Sequence, residues 1–326
     1  MEEGMTDSTS NDHPTQTGQR RTILVASRID PDALARLGER HRIVEAWDAA
    51  PADLPDLVRD CDTIIFRSGV QITAALMQAA PKLALLIRGG SGIDNLDLDY
   101  VAAHDLKLVR LPGPGARAVA EMAFALMLGL ARQSLFADRE WRQGHWVKHR
   151  VEGHLLHEKT LGVVGAGNIG GVAGEMGAAW GMRVLGCVEN PSPDRKAELA
   201  TRGIDLTDFR TVLAEADFLS IHLPLNDTTR GFIGGEELRA MKPTAFLVNL
   251  ARGGVVDETA LRDALNAGRL RGAALDVHAK EGDGDISPLA DLPNTILTPH
   301  IGATTIDTQK VIGRQIVETV EGSSGT

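Results

Sequence analysis

LGVVGAGNIG, residues 161–170, decides the fold of this chain. The apolar run LGVV reads as a buried strand, Gly165, Gly167 and Gly170 follow as G-x-G-x-x-G, and a helix starts near Asn168. The first glycine permits a tight turn, the second lets a pyrophosphate approach the backbone, and the third lets the helix pack close to the strand. The free N–H groups of the helix N-terminus then face the phosphates. Set between a strand and a helix, the motif points to a dinucleotide site; the competing reading is a glycine-rich turn without a ligand. The next strand, MRVLGCV (182–188), should carry a ribose-binding acid at its end. Glu189 is the candidate, although strict alignment of the pattern puts Val188 at that place.

Outward from this turn, strand and helix patterns alternate in both directions. Downstream, FLSIHL, AFLVNLA, GAALDV and TILTPH read as strands, with helices starting near Asp194, Asp208, Glu236 and Asp257 and a last one over about 305–320. Upstream, strands are read at 21–27, 41–46, 63–67, 83–88 and 106–111, with helices at 31–38, 52–59 and 73–80. LPGPG (111–115) breaks the alternation, a long apolar helix follows at 116–132, and then comes a polar, Trp-containing stretch at 140–157. Such alternation predicts an α/β protein with parallel sheets covered on both faces. The break places a domain boundary near Pro112–Pro114.

The 326 residues suffice for two domains. The first 20 have almost no apolar content and are expected to be a disordered tail. The longest apolar run, 122–131, falls short of the about 20 residues that span a membrane, and no secretory signal is read at the N-terminus. A net charge of −10 argues against general affinity for nucleic acid or anionic membranes. Two cysteines, Cys61 and Cys187, make no disulfide framework and suit a reducing cytoplasm. No metal ligand set is assigned.

Three later segments end strands in polar loops: VNLARGGVVD (248–257), GAALDVHAKEG (272–282) and LTPHIGATT (297–305). Ligands of doubly wound sheets sit at the carboxyl ends of strands, so Arg252, Asp276, Glu281 and His300 should converge on the crevice that GAGNIG borders. Arginine clamps a carboxylate bidentately, and histidine exchanges a proton near neutral pH beside a carboxylate that orients it. That set suits carbonyl chemistry.

In this order, with RGGSGIDNLDL (88–98) and HLPLNDTT (222–229), the chain resembles the D-isomer-specific 2-hydroxyacid dehydrogenases, and most the D-3-phosphoglycerate dehydrogenase branch, from about Arg21 to Val320. The resemblance implies a flavodoxin-like substrate domain, 21–112 completed by the C-terminal helix in 303–326, and a Rossmann-type cofactor domain, 113–302. It implies an NAD-dependent enzyme, NADP being the weaker expectation, that moves a hydride to or from C2 of a 2-oxo or D-2-hydroxy acid. It implies that Arg252 binds and polarises the 2-oxo acid, that His300 exchanges the proton, and that Glu281 holds His300. Gly165, Gly167, Asn168, Ile169, Gly170, Glu189, Pro224, Leu250, Ala251, Asp276 and Gly302 would meet the cofactor, with Asp276 at its nicotinamide end. The loop with Gly90, Ser91 and Gly92 would hold the substrate carboxylate through backbone amides. Arg67 and Arg88, with Lys148 and Arg150, are the cations expected at the cleft or its dimer edge. A homodimer through the cofactor domain is implied, with Trp141 and Trp146 reaching the partner. No regulatory domain is expected after Val320.

Some positions depart from the family's pattern. Gly282 opens the loop GDGDIS where proline is frequent, so Asp283 and Asp285 compete with Glu281 for His300. His278 replaces a frequent aromatic residue and is expected at the cleft rim. Gly115 stands where the phosphoglycerate branch often has Asn, six residues before Glu121. Arg195 is placed to swing toward a 2′-phosphate. The alternative function is an NAD-sensing corepressor of the same fold. Formate dehydrogenase is disfavoured because that branch has Gln at the position of Glu281.

Overall fold

The computed structural model describes residues 20–322, so the expected tail, except for Arg20, and residues 323–326 lie outside the described residues. The first half runs β1 (Thr22–Val25), α1 (Pro31–Arg40), β2 (Arg42–Glu45), α2 (Leu54–Val58), β3 (Thr63–Phe66), α3 (Ala74–Gln78), β4 (Leu85–Arg88), α4 (Leu98–Ala103) and β5 (Lys107–Arg110). Its five strands are all parallel, in the order β2-β1-β3-β4-β5. This is the 2-1-3-4-5 order of flavodoxin-like sheets. TIIF in β3 is buried at every position because helices cover both sheet faces. The edge strands β2 and β5 are exposed at both ends. Proline at the first position and Asp30, whose side chain accepts from the Ala33 amide, start α1.

The second half runs α5 (Gly115–Arg132), α6 (Ser134–Arg142), a 3-10 turn (Lys148–Arg150), β6 (Thr160–Val164), α7 (Asn168–Ala179), β7 (Arg183–Cys187), α8 (Pro193–Thr201), β8 (Ile204–Leu206), α9 (Phe209–Glu215), β9 (Phe218–Ile221), α10 (Gly235–Ala240), β10 (Phe246–Asn249), α11 (Glu258–Asn266), β11 (Gly272–Leu275), β12 (Thr295–Leu297) and α12 (Ile306–Gly322). Seven parallel strands form the sheet β12-β11-β10-β9-β6-β7-β8. The order reverses between β6 and β9, and that switch point opens the crevice at the strands' carboxyl ends. The Ala-, Leu- and Met-rich α5 packs on α7 and β10 as the core helix of this half. Gln133, left-handed at φ 51°, ends it and turns the chain into α6.

The last helix, α12, returns to the first sheet. Ile312, Ile316, Val317 and Val320 join Ile23, Val25, Leu37 and Ile65 in one apolar cluster. Gly313 permits this approach, since a Cβ there would lie 2.8 Å from the Asp30 Cβ.

Three elements are absent from the sequence-based reading. LDYVAA of α4 looks like part of a connecting loop but is started by the Asp97 side chain bonded to the Tyr100 amide. SLFADREWR of α6 buries no residue, so no apolar stripe announces it, and it takes in the start of the expected polar stretch at 140. β8 is a three-residue edge strand, too short for a period to show.

Candidate active site

At the end of β6 the backbone of Gly165 is left-handed, at φ 89°. A Cβ on Gly165 would lie 2.6 Å from the His222 carbonyl oxygen, and one on Gly170 would lie 2.3 Å from that of Gly165. Both positions therefore demand glycine. Around Gly167 the space is open, with nothing within 4 Å of a Cβ. The first amides of α7, at Asn168 and Ile169, open the helix beside this space without a side-chain cap. The turn fits a dinucleotide pyrophosphate.

Two cavities flank it. One of about 730 Å³ is lined by Gly165, Cys187, Val188, Glu189, Lys196, Pro224 and Thr228, with room for an adenosine end. Glu189 and Val188 both face it, so the structure brings both ribose-site candidates to one place. Arg195 does not swing free as expected. Its guanidinium donates to the carbonyls of Ala166 and Gly167 and pairs with Glu198, which ties α8 to the glycine turn.

The second cavity, about 450 Å³, lies between the two sheets. Asn168, Ile169, Pro224, Leu250, Ala251, Asp276 and Gly302 reach it from the second half, and Arg67, Arg88, Gly90, Ser91 and Gly92 from the first. Arg252 and His300 also line it. His300 Nδ1 lies 2.8 Å from Glu281 Oε2, and Glu281 Oε1 accepts from the His278 amide at 3.1 Å. Burial pushes the Glu281 carboxyl up, but the bonds from His300 and the His278 amide hold it below the usual carboxylate range. Of the three acids near this loop, Glu281 makes the contact with His300.

His300 has a left-handed backbone at φ 54°, a strained conformation for a non-glycine residue. Asp276 over-determines it. The His300 amide donates to the Asp276 carbonyl at 2.7 Å. The Asp276 carboxylate accepts from Thr298 Oγ1 at 2.6 Å, the Ile301 amide at 2.9 Å and the Gly302 amide at 2.7 Å. Asp276, 1% exposed, thus holds the whole histidine loop besides lining the cleft. His278 is turned away from the rim, its Nε2 3.0 Å from the Thr298 carbonyl oxygen, so it joins the loops of Glu281 and His300.

Arg252 Nε donates to Asp94 Oδ1 at 2.9 Å. Arg88 is buried, with Nε on the Gly92 carbonyl at 2.8 Å and Nη1 on that of Gly89 at 3.3 Å, and so braces its own loop rather than standing free. Burial, with Arg252 and Arg67 nearby, pushes Arg88 down to about 10, which leaves it charged at neutral pH. Burial also lowers Arg67. Arg110, unremarked in the sequence, lines the same cavity.

Lys148 and Arg150 do not reach the cleft. Arg150 lies over the Phe136 ring, beside Phe246, Arg271 and Thr295 at the amino ends of the strands, opposite the crevice. Gly115 does line the cleft, whereas Glu121 is exposed and paired with Arg117. Sequence reasoning missed Asp94, Arg110, Thr298 and His222. Half-buried just past β9, His222 is pushed down to about 4 by desolvation, with Nε2 2.9 Å from Ser220 Oγ. Position at a strand's carboxyl end is the signal that marks His222 and Thr298, and Asp94 falls within the motif RGGSGIDNLDL.

Residues 124–302 match the D-isomer specific 2-hydroxyacid dehydrogenase, NAD binding domain. The chain is 38% identical over 300 residues to the D-3-phosphoglycerate dehydrogenase of Mycobacterium tuberculosis, an alignment covering 91% of this chain and 56% of that protein. It is 34% identical over 304 residues to the hydroxypyruvate reductase of Thermotoga maritima, covering 92% and 97%. The chain thus spans about half the length of the phosphoglycerate dehydrogenases it matches and nearly all of the reductase. Among solved structures, the TT0316 protein of Thermus thermophilus has a TM-score of 0.83 at 32% identity, covering 92% of this chain and 97% of that one.

Proposed function

The chain belongs to the D-isomer specific 2-hydroxyacid dehydrogenases, and on that premise we propose that it interconverts a 2-oxo acid and a D-2-hydroxy acid with NAD(H). The observation that carries this reading is His300, paired with Glu281 at 2.8 Å, in the cavity that Arg252 and the glycine-turn helix also line.

When bound, the nicotinamide supplies or accepts the hydride at C2. The protein's own groups do the rest. The amides of Gly90, Ser91 and Gly92, with the Arg252 guanidinium, hold the substrate carboxylate. Glu281 engages Nδ1 of His300, so Nε2 is the atom that exchanges a proton with the C2 oxygen. During reduction Nε2 donates that proton, and during oxidation it accepts it, while Glu281 holds the ring in place through Nδ1. Arg252 polarises the carbonyl and stabilises negative charge as it develops on oxygen.

The relatives' names divide between phosphorylated and unphosphorylated acids. Arg67, Arg88 and Arg110 in one cavity with Arg252 support a substrate bearing a second negative group, of which 3-phosphoglycerate is one. Glu189 beside the adenosine cavity supports NAD over NADP, since a carboxylate repels a 2′-phosphate. We assign 21–112 with 303–326 to the substrate domain and 113–302 to the cofactor domain. Exposed Leu135, Trp141, Trp146 and Leu155 support a homodimer through the second half. Both cysteines are free and buried, which suits a reducing cytoplasm.

The test is NADH consumption by the purified chain with a panel of 2-oxo acids, including 3-phosphohydroxypyruvate, hydroxypyruvate, glyoxylate and pyruvate. Turnover of at least one, with the D-hydroxy acid as product, is the expected result. NADH binding without turnover of any would remove the reading.

A further inference from the structure

Asp94 stands in the loop after β4, two residues past Gly92, and Arg252 in the loop after β10, 158 residues further along. Their ion pair joins the loops of the two sheets across the cleft. The pair leaves little freedom to the guanidinium. Nε is on Asp94 Oδ1 at 2.9 Å, and Nη1 donates to the Ala251 carbonyl at 2.6 Å. Nη2 has no hydrogen-bond partner among the described residues and lies over Gly92, where a Cβ would come to 1.5 Å from it. Gly92 has no positive φ, so close approach of Arg252, rather than backbone conformation, requires the glycine. On the other side of the loop, Arg88 Nε holds the Gly92 carbonyl.

We infer that Asp94 is a positioning residue, which presses the Arg252 guanidinium against Gly92 so that Nη2 is presented beside the loop amides that receive the substrate carboxylate. This rests on the functional reading of Arg252 given above. Burial raises the Asp94 carboxyl, but Arg252, hydrogen-bonded to it, and Arg88 hold it below the ordinary range, so it stays charged at neutral pH. A carboxylate beside an anion-binding arginine weakens long-range attraction for the substrate. Its gain is orientation: a guanidinium held on one edge presents the other in a fixed plane.

A merely structural strap between two partly exposed side chains would contribute little to stability and nothing selective to substrate binding. The experiment therefore compares Asp94→Asn, Gly92→Ala, Arg252→Ala and the double variant Asp94→Asn/Arg252→Ala. It reads KM and kcat for the best 2-oxo acid at saturating NADH, the Kd of NADH by fluorescence, oxamate binding to the NADH-loaded protein, and Tm. Asp94→Asn and Gly92→Ala should each raise the KM of the 2-oxo acid and weaken oxamate about tenfold, with NADH affinity kept within about twofold. In the Arg252→Ala background, Asp94→Asn should add nothing, because the group it positions is gone. An Asp94→Asn variant with unchanged KM and oxamate binding, or one that costs the same factor with and without Arg252, overturns the inference. If Arg252→Ala alone leaves KM and kcat unchanged, the functional reading itself falls, and the inference with it.

Discussion

His300 and Glu281 face each other at 2.8 Å from two loops that Asp276 and His278 hold in register. The histidine backbone is left-handed, and its amide bonds to the Asp276 carbonyl. The ring is thus held through Nδ1 and the residue through its own amide, the preorganisation that the proposed proton exchange calls for.

The carboxylate's charge should be visible in the pH profile. Glu281 is held below the usual carboxylate range, so the pair persists as pH falls until that lowered value is crossed. An acid limb of kcat/KM should therefore lie below the usual carboxylate range in the wild type, and Glu281→Gln, which has no carboxylate to protonate, should lose that limb and lower kcat throughout. The kcat/KM profiles of the two proteins check this, and an acid limb that is the same in both would contradict it.

Asp276→Asn should loosen the histidine loop. The carboxylate accepts three hydrogen bonds in a site 1% exposed. An amide turns a donor toward the Ile301 or the Gly302 N–H, which leaves a buried donor facing a donor at a cost of roughly 1–3 kcal/mol. A lower Tm together with a lower kcat is expected. Retained Tm and kcat would show that the loop is held by other means.

Cofactor choice should rest on Glu189. Arg195 is committed to the glycine turn and to Glu198, which leaves the carboxylate to act on the ribose. Glu189→Ala should narrow the preference for NADH over NADPH mainly by improving NADPH, because a repulsive contact is removed. Wild-type protein that turns over faster with NADPH at equal low concentration would assign the site to Val188 and Lys196 instead.

A second anionic group on the substrate should matter. With Arg67 and Arg110 lining the cleft beside Arg88 and Arg252, 3-phosphohydroxypyruvate should have a higher kcat/KM than pyruvate. Arg67→Ala and Arg110→Ala should each reduce that advantage, by roughly tenfold for a charge-assisted contact. Equal kcat/KM for the two acids would remove the anion pocket.

The glycine turn, the strand ends and the order of the site segments are legible in the chain because each is local: a few residues set a turn, and a strand's carboxyl end marks a crevice. What escapes is direction and distance. Arg88 reads as a free cation, but burial turns its guanidinium onto its own loop's carbonyls. Asp94 carries no local sign of its partner, which lies 158 residues away on the other sheet. Arg195 is drawn to the Ala166 and Gly167 carbonyls of the tight turn, and Arg150, past α6, lies at the amino ends of the strands rather than in the cleft. The helix α6 itself is silent because it buries nothing.

In the proposed reaction His300 Nε2 exchanges the proton at the C2 oxygen. The most direct measurement is the rate of 2-oxo acid reduction by His300→Ala at saturating NADH, alongside the Kd of NADH. Kcat should fall by about 10²–10⁴, the range for losing a general acid, while NADH affinity is kept. Unchanged turnover in His300→Ala would contradict the account.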